Sequence, residues 1–189
     1  MSTSDTDSSA AKAVARAEAR ARRRSRDRPD PHLLADQAVG YLETLPGPRR
    51  VTCYASYGTE PDTGELRRQL SAAGYEVLLP RVSGEQLEWV VDSPETTVSS
   101  MGIAEPTGVA VNLLPLRAML IPALTVTADG DRLGKGGGYY DRVLSGLRDV
   151  PVVALVDDAD VVDSIPVEAH DMRVHAIVTP TRAIACRAR

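Results

Sequence analysis

From residue 51 to residue 178 the chain alternates short apolar runs with segments carrying helical signals. That alternation restricts it to an α/β architecture. Residues 51–56 (VTCYAS), 76–80 (EVLLP), 118–121 (AMLI, ending at Pro122), 151–156 and 174–178 read as strands. Residues 86–92 (QLEWVVD) read as a further strand at an edge. Between them, 62–73 reads as a helix with Asp62 at its cap and Gly74 at its end, and 137–147 as another. Residues 93–117 are loop-rich and contain GIAEP at 102–106. Two helices precede the first strand. One runs from Ala10 to about Arg26 and is almost wholly Ala and Arg. The other covers about 31–45, with Leu33, Leu34, Val39, Tyr41, Leu42 and Leu45 near helical spacing. The expected fold is a single three-layer α/β domain over 10–189. It has a mostly parallel central sheet, an N-terminal helix before it, and a disordered polar tail at 1–9.

Charge and composition narrow the function classes. The net charge is -4, but it is unevenly placed. Residues 11–28 carry Lys12 and seven arginines against Glu18 and Asp27, so the remainder of the chain is strongly acidic. An acidic body with one basic segment argues against a general nucleic-acid binder, because phosphate tracking needs basic charge spread over a surface. No apolar run approaches the roughly 18 residues of a membrane span. MSTSDTDSSA has no apolar signal region, and Cys53 and Cys186 are too few for a disulfide framework or a zinc site. The expected setting is the cytoplasm, and the expected working unit a monomer.

The most informative stretch is RLGKGGGYYD at 132–141. It follows one predicted strand and opens a predicted helix. Gly134, Gly136, Gly137 and Gly138 strip the backbone of side chains, so amides there can close on anionic oxygens near a helix N-terminus. Arg132 and Lys135 add positive charge beside those amides. The segment is not a P-loop, since no Lys-Ser or Lys-Thr pair exists in the chain. It is not a dinucleotide fingerprint either, because Tyr139 stands where the third glycine would be. A tight turn without a ligand is the plainer alternative. Asp141 could favour the helix dipole or hold magnesium, and Asp171, in EAHDM at 168–172, is a possible second carboxylate. No Ser-His-Asp or Cys-His constellation stands out, and Trp89 reads as core.

The segment LIPALTVTADGDRLGKGGGYYDRVL at 120–144 resembles the signature of the 5-formyltetrahydrofolate cyclo-ligase family. Other pieces agree in order: Lys12 and Arg16, then Glu60, Asp62 and Thr63, then Leu79, Pro80 and Arg81, then 102–106, and finally His170 and Asp171. The run of small residues at 13–15 and 17–21 departs from the family's more leucine-rich helix. The resemblance implies an enzyme that uses ATP to cyclise 5-formyltetrahydrofolate to 5,10-methenyltetrahydrofolate, releasing ADP and phosphate through phosphorylation of the formyl oxygen. It implies that Lys12, Arg16, Arg132, Leu133, Gly134, Lys135, Gly136, Gly137, Gly138, Tyr139 and Tyr140 meet ATP, with Arg132 and Lys135 catalytic. It implies a folate site at Ala55, Glu60, Lys135, Gly136, Gly137, Gly138 and Tyr139, with Tyr57 nearby. Magnesium would sit at Asp141 and Asp171. A nucleic-acid-associated protein using 16–28 as a tail, and a small-molecule kinase or ATP-binding regulator on the same fold, are the rival readings.

Overall fold

The computed structural model describes residues 3–98, 104–147 and 149–187. In chain order the elements are α1 (Thr3–Arg24), α2 (Pro31–Glu43), β1 (Arg50–Thr52), α3 (Gly64–Ala72), β2 (Glu76–Ser83) and β3 (Gln86–Val91). There follow β4 (Thr96–Val98), β5 (Ala104–Pro106), β6 (Ala118–Pro122), β7 (Thr125–Val126), β8 (Arg132–Leu133) and α4 (Tyr139–Leu144). The chain closes with β9 (Val152–Leu155), β10 (Ala176–Val178) and β11 (Ala183–Ala185).

Seven strands form one sheet in the order β11-β10-β9-β6-β1-β2-β3. The five inner strands are parallel, while β3 and β11 pair antiparallel at the edges. Alternation along each strand feeds two cores. Val77, Leu79, Ala118, Leu120, Val153 and Leu155 face one way, against Leu34, Leu42, Leu66 and Leu70 of α2 and α3. Leu78, Met119, Ile121, Val152, Ala154 and Ile177 face the other, against Leu144 of α4 and Trp89. Trp89 is therefore core.

The order also sets where a ligand can bind. From β1 the chain crosses through α3 to β2 on one side. It later returns to place β6 on the other side of β1. Open α/β sheets bind ligands at such a reversal, beyond the carboxyl ends of the strands.

Several boundaries differ from the sequence reading. Helix α1 starts at Thr3, inside the segment read as a tail, because Ser, Thr and Asp are residue types that begin helices. Helix α3 begins at Gly64 with Thr63 as cap, and Asp62 instead accepts the Gly64 N–H at 2.8 Å. Helix α4 is confined to 139–144, since Gly138 caps it at φ +66° in a left-handed conformation. Strand β1 is only three residues long, because the chain leaves the sheet for the loop that carries Glu60. The hairpins β4–β5 and β7–β8 lie in segments read as loops, and the edge strand β11 lies beyond the last strand that the sequence reading assigned. Of the segment at 102–106, Gly102 and Ile103 lie outside the described residues.

The β7–β8 turn has one position that admits no side chain. Gly130 has φ +89°, and a Cβ there would lie 2.4 Å from the Val174 carbonyl oxygen. The Val174 N–H, which donates to the Gly130 oxygen at 2.9 Å, fixes that approach. Gly130→Ala is expected to cost about 2–4 kcal/mol of stability. In a thermal melt that is a fall of roughly 5–15 °C, and an unchanged melt would contradict the contact.

Candidate active site

A cavity of about 580 Å³ opens at the carboxyl ends of β1 and β6, at the predicted switch point. The chain leaving β1 supplies Tyr54, Ala55, Tyr57 and Glu60, and that leaving β6 supplies Ala123 and Leu124. The glycine-rich segment 134–138 forms one rim, Lys12 and Arg16 of α1 a second, and Glu168, His170 and Asp171 a third. Every residue to which the sequence reading gave a site role borders this one space, from Lys12 to Asp171. Tyr54, Val82, Leu87 and Glu168 border it too and were missed. Glu168 could have been found from its place beside His170 and Asp171. Arg81 turns away and pairs with Glu88 at 2.9 Å.

The glycine-rich segment is held by its neighbours rather than by its own side chains. Gly136 has φ +104° and Gly138 φ +66°. Arg16 Nε donates to the Gly134 carbonyl at 3.0 Å, tying the segment to α1. On the far side, Arg142 lies over the Tyr139 ring at 4.9 Å and donates to the Glu85 carbonyl at 2.9 Å, tying it to the β2–β3 hairpin.

Charges around the cavity are paired. Lys12 Nζ lies 2.6 Å from Glu168 Oε2 and 2.8 Å from Asp171 Oδ1. Burial disfavours the Lys12 ammonium, but the hydrogen bonds to Asp171 and Glu168 outweigh it and hold its pKa above the usual lysine value. Burial likewise pushes Asp171 up, and the bond from Lys12 with the Glu168 N–H brings it net below the ordinary carboxylate range. Arg132 pairs with Asp141, whose Oδ1 also accepts the Met172 N–H at 3.3 Å. Lys135 Nζ lies 2.7 Å from Glu60 Oε1 and 5.0 Å from the Tyr57 ring centre. The Tyr57 N–H orients the other Glu60 oxygen at 2.8 Å. Burial, and then the charge of Glu60, raise the phenols of Tyr54 and Tyr140, so both remain hydroxyls.

The arrangement therefore has three parts: a backbone cradle flanked by cations, an oriented buried carboxylate, and an apolar floor. The model of the 5-formyltetrahydrofolate cyclo-ligase family matches residues 8–180. The chain belongs to that family. The Mycolicibacterium smegmatis 5-formyltetrahydrofolate cyclo-ligase is 34% identical over 162 residues, covering 79% of this chain and 84% of its own. The Escherichia coli protein of the same name is 32% identical over 142 residues, covering 70% and 78%. The solution structure of Aquifex aeolicus 5,10-methenyltetrahydrofolate synthetase superposes with a TM-score of 0.76 at 26% identity, over 94% of both chains. The membership accounts for the order of the motifs along the sequence and for the placement of the cradle at the β1/β6 switch point.

Proposed function

We propose that this chain closes 5-formyltetrahydrofolate to 5,10-methenyltetrahydrofolate at the cost of one ATP. The observation that carries the reading is that Lys12, Arg16, Arg132 and Lys135 border one cavity together with the glycine-rich cradle and the oriented carboxylate of Glu60. The formyl group is an amide, so its carbon is a poor electrophile. Its oxygen attacks the γ-phosphorus and ADP leaves. N10 then bonds to the activated carbon, the C–O bond breaks, and phosphate departs with the former formyl oxygen while N10 loses its proton. This chemistry needs positioning and charge neutralisation more than a protein nucleophile.

Backbone amides of 134–138 hold phosphate oxygens. Lys12, Arg16, Arg132 and Lys135 neutralise them. Glu60 accepts hydrogen bonds from the pterin N–H groups, and Ala55, Tyr57, Tyr139 and Tyr140 enclose the ring. Asp141 and Asp171 are hard oxygen donors on the same cavity wall, close enough in the chain path that the Met172 N–H reaches Asp141. That donor set fits magnesium, which uses one or two carboxylates. Asp141 and Asp171 would hold such an ion, and it would supply positive charge beside the phosphate oxygens. In this structure Asp141 pairs with Arg132 and Asp171 with Lys12. Arg132 and Lys12 would then turn to the phosphate oxygens, so no charge would be left alone.

The arginine-rich segment supports this reading over a nucleic-acid tail. Arg16, Arg20, Arg23, Arg26 and Arg28 all bond to acceptors within the protein. Among the described residues no helix is long and apolar enough to cross a membrane. The free thiols of Cys53 and Cys186 suit a reducing compartment such as the cytoplasm.

The test is optical. Protein with Mg·ATP and 5-formyltetrahydrofolate is expected to build up the near-ultraviolet absorbance of methenyltetrahydrofolate. ATP binding without that product would favour a kinase instead. Asp141→Asn is expected to raise the magnesium concentration for half-maximal rate by about tenfold. An unchanged metal titration would clear Asp141 of that role.

A further inference from the structure

Helix α1 lacks the apolar stripe by which helices usually attach to a sheet. Among its described side chains, Ala19 is the fully buried apolar one, and Lys12 and Arg23 on the same face are buried with it. Positions 12, 16, 19 and 23 follow helical spacing, so one basic stripe faces the body of the protein. Helix α1 is fixed by charge midway along its length and at its end. At the nearer point, Lys12 meets Glu168 and Asp171. At its far end, Arg23 Nε donates to Asp160 Oδ2 at 2.9 Å and Arg23 Nη2 to the Ala123 carbonyl at 2.6 Å. Just beyond the helix, Arg26 donates to both oxygens of Asp160, at 2.9 and 2.6 Å, and also pairs with Asp157.

Asp160 is 0% exposed and sits in the 3-10 turn Asp158–Asp160 that follows β9. Ala123 follows β6. The far end of α1 is thus pinned to the ends of β9 and of β6, and the chain leaving β6 also borders the cavity. A helix is a stiff rod of 1.5 Å per residue, so the step from Arg23 to Lys12 is about 16 Å. An anchor at one end therefore sets where the other end reaches. The near end cannot serve as the permanent anchor, because Lys12 must leave its carboxylates to meet phosphate.

We infer that Asp160 is a positioning residue for nucleotide binding: by holding Arg23 and Arg26 it presents Lys12 and Arg16 to the glycine-rich cradle. The inference rests on the reading that Lys12 meets the ATP phosphates, and the experiment separates the two. ATP and folate KM values are measured by the absorbance assay for Asp160→Asn, Lys12→Ala and the double variant. Asp160→Asn is expected to raise the KM for ATP about tenfold and to change the KM for 5-formyltetrahydrofolate less than about twofold. Lys12→Ala is expected to raise the KM for ATP about tenfold alone, but less than about twofold in the Asp160→Asn background, because a displaced helix no longer delivers that lysine. Amide exchange in α1 is expected to quicken while β6 and β9 stay protected. Should Asp160→Asn fail to fold, Arg26→Gln, altered in the outer and half-buried arm of the cluster, carries the same cycle with a rise of about threefold. Fully additive effects, or an unchanged KM for ATP in the anchor variant, overturn the inference. A Lys12→Ala enzyme with normal KM for ATP overturns the phosphate reading of α1 itself, and the inference with it.

Discussion

Lys135→Ala is expected to lower kcat by about a hundredfold to a thousandfold, or about 2.7–4 kcal/mol of transition-state stabilisation. Lys135 follows the first glycine of the cradle, where the proposed reaction would accumulate charge as the γ-phosphoryl group moves. It also touches Glu60 at 2.7 Å and covers the Tyr57 ring, so on the proposed reading it would stand between the phosphate and pterin halves of the site. Its removal leaves the Glu60 side chain, only 7% exposed, without its cation. The KM for folate is therefore expected to rise with the fall in kcat. Lys135→Arg keeps the charge but replaces a compact ammonium with a planar fork, so recovery is expected to be partial. Steady-state kinetics at saturating ATP check this. Near-normal turnover in Lys135→Ala would remove Lys135 from the mechanism.

Gly136→Ala is expected to lower kcat/KM by about a hundredfold through misplacement of the cradle. The cause is the backbone: φ +104° is a conformation that alanine adopts only under strain, of the order of 1–3 kcal/mol. The added Cβ itself would meet the Arg16 guanidinium, which holds the Gly134 carbonyl, at an ordinary contact distance of 3.4 Å. Gly74 provides the control. It has φ +77° at the end of α3, with nothing within 4 Å of its would-be Cβ. Gly74→Ala is expected to share the thermal cost and keep full activity. Equal activity in the two variants would show that the cradle's backbone is not what holds the nucleotide.

The parts of this account that were legible in sequence are those whose cause is local. Within the runs read as strands, residues 77–79, 118–121, 152–155 and 176–178 are buried on both faces of the parallel sheet, so each is a short continuous apolar block. The cradle was legible because its chemistry lies within ten consecutive residues. Elements of two or three residues were not. Thr125–Val126 and Arg132–Leu133 are too short for alternation to show, although Asp129-Gly130 between them is a turn signal. The N-terminal helix was legible from propensity, but its seat was not. Arg23 and Asp160 are 137 residues apart in sequence, and nothing in either segment names the other. The same holds for Lys12 and Glu168, 156 residues apart. Resemblance to a family suggested a phosphate role for Lys12, whereas the only guide to Glu168 was its place beside His170 and Asp171, and its pairing with Lys12 emerged only when the chain was folded.

The most direct measurement follows one oxygen atom. Phosphoryl transfer to the formyl oxygen means that this atom must leave with phosphate when N10 closes the ring. With 5-formyltetrahydrofolate labelled by ¹⁸O in the formyl group, and unlabelled ATP and water, mass analysis of the released phosphate is expected to show one heavy oxygen per molecule of methenyltetrahydrofolate formed. Phosphate without the label, at the same yield of product, would contradict transfer to the formyl oxygen and require that ATP be used in some other way.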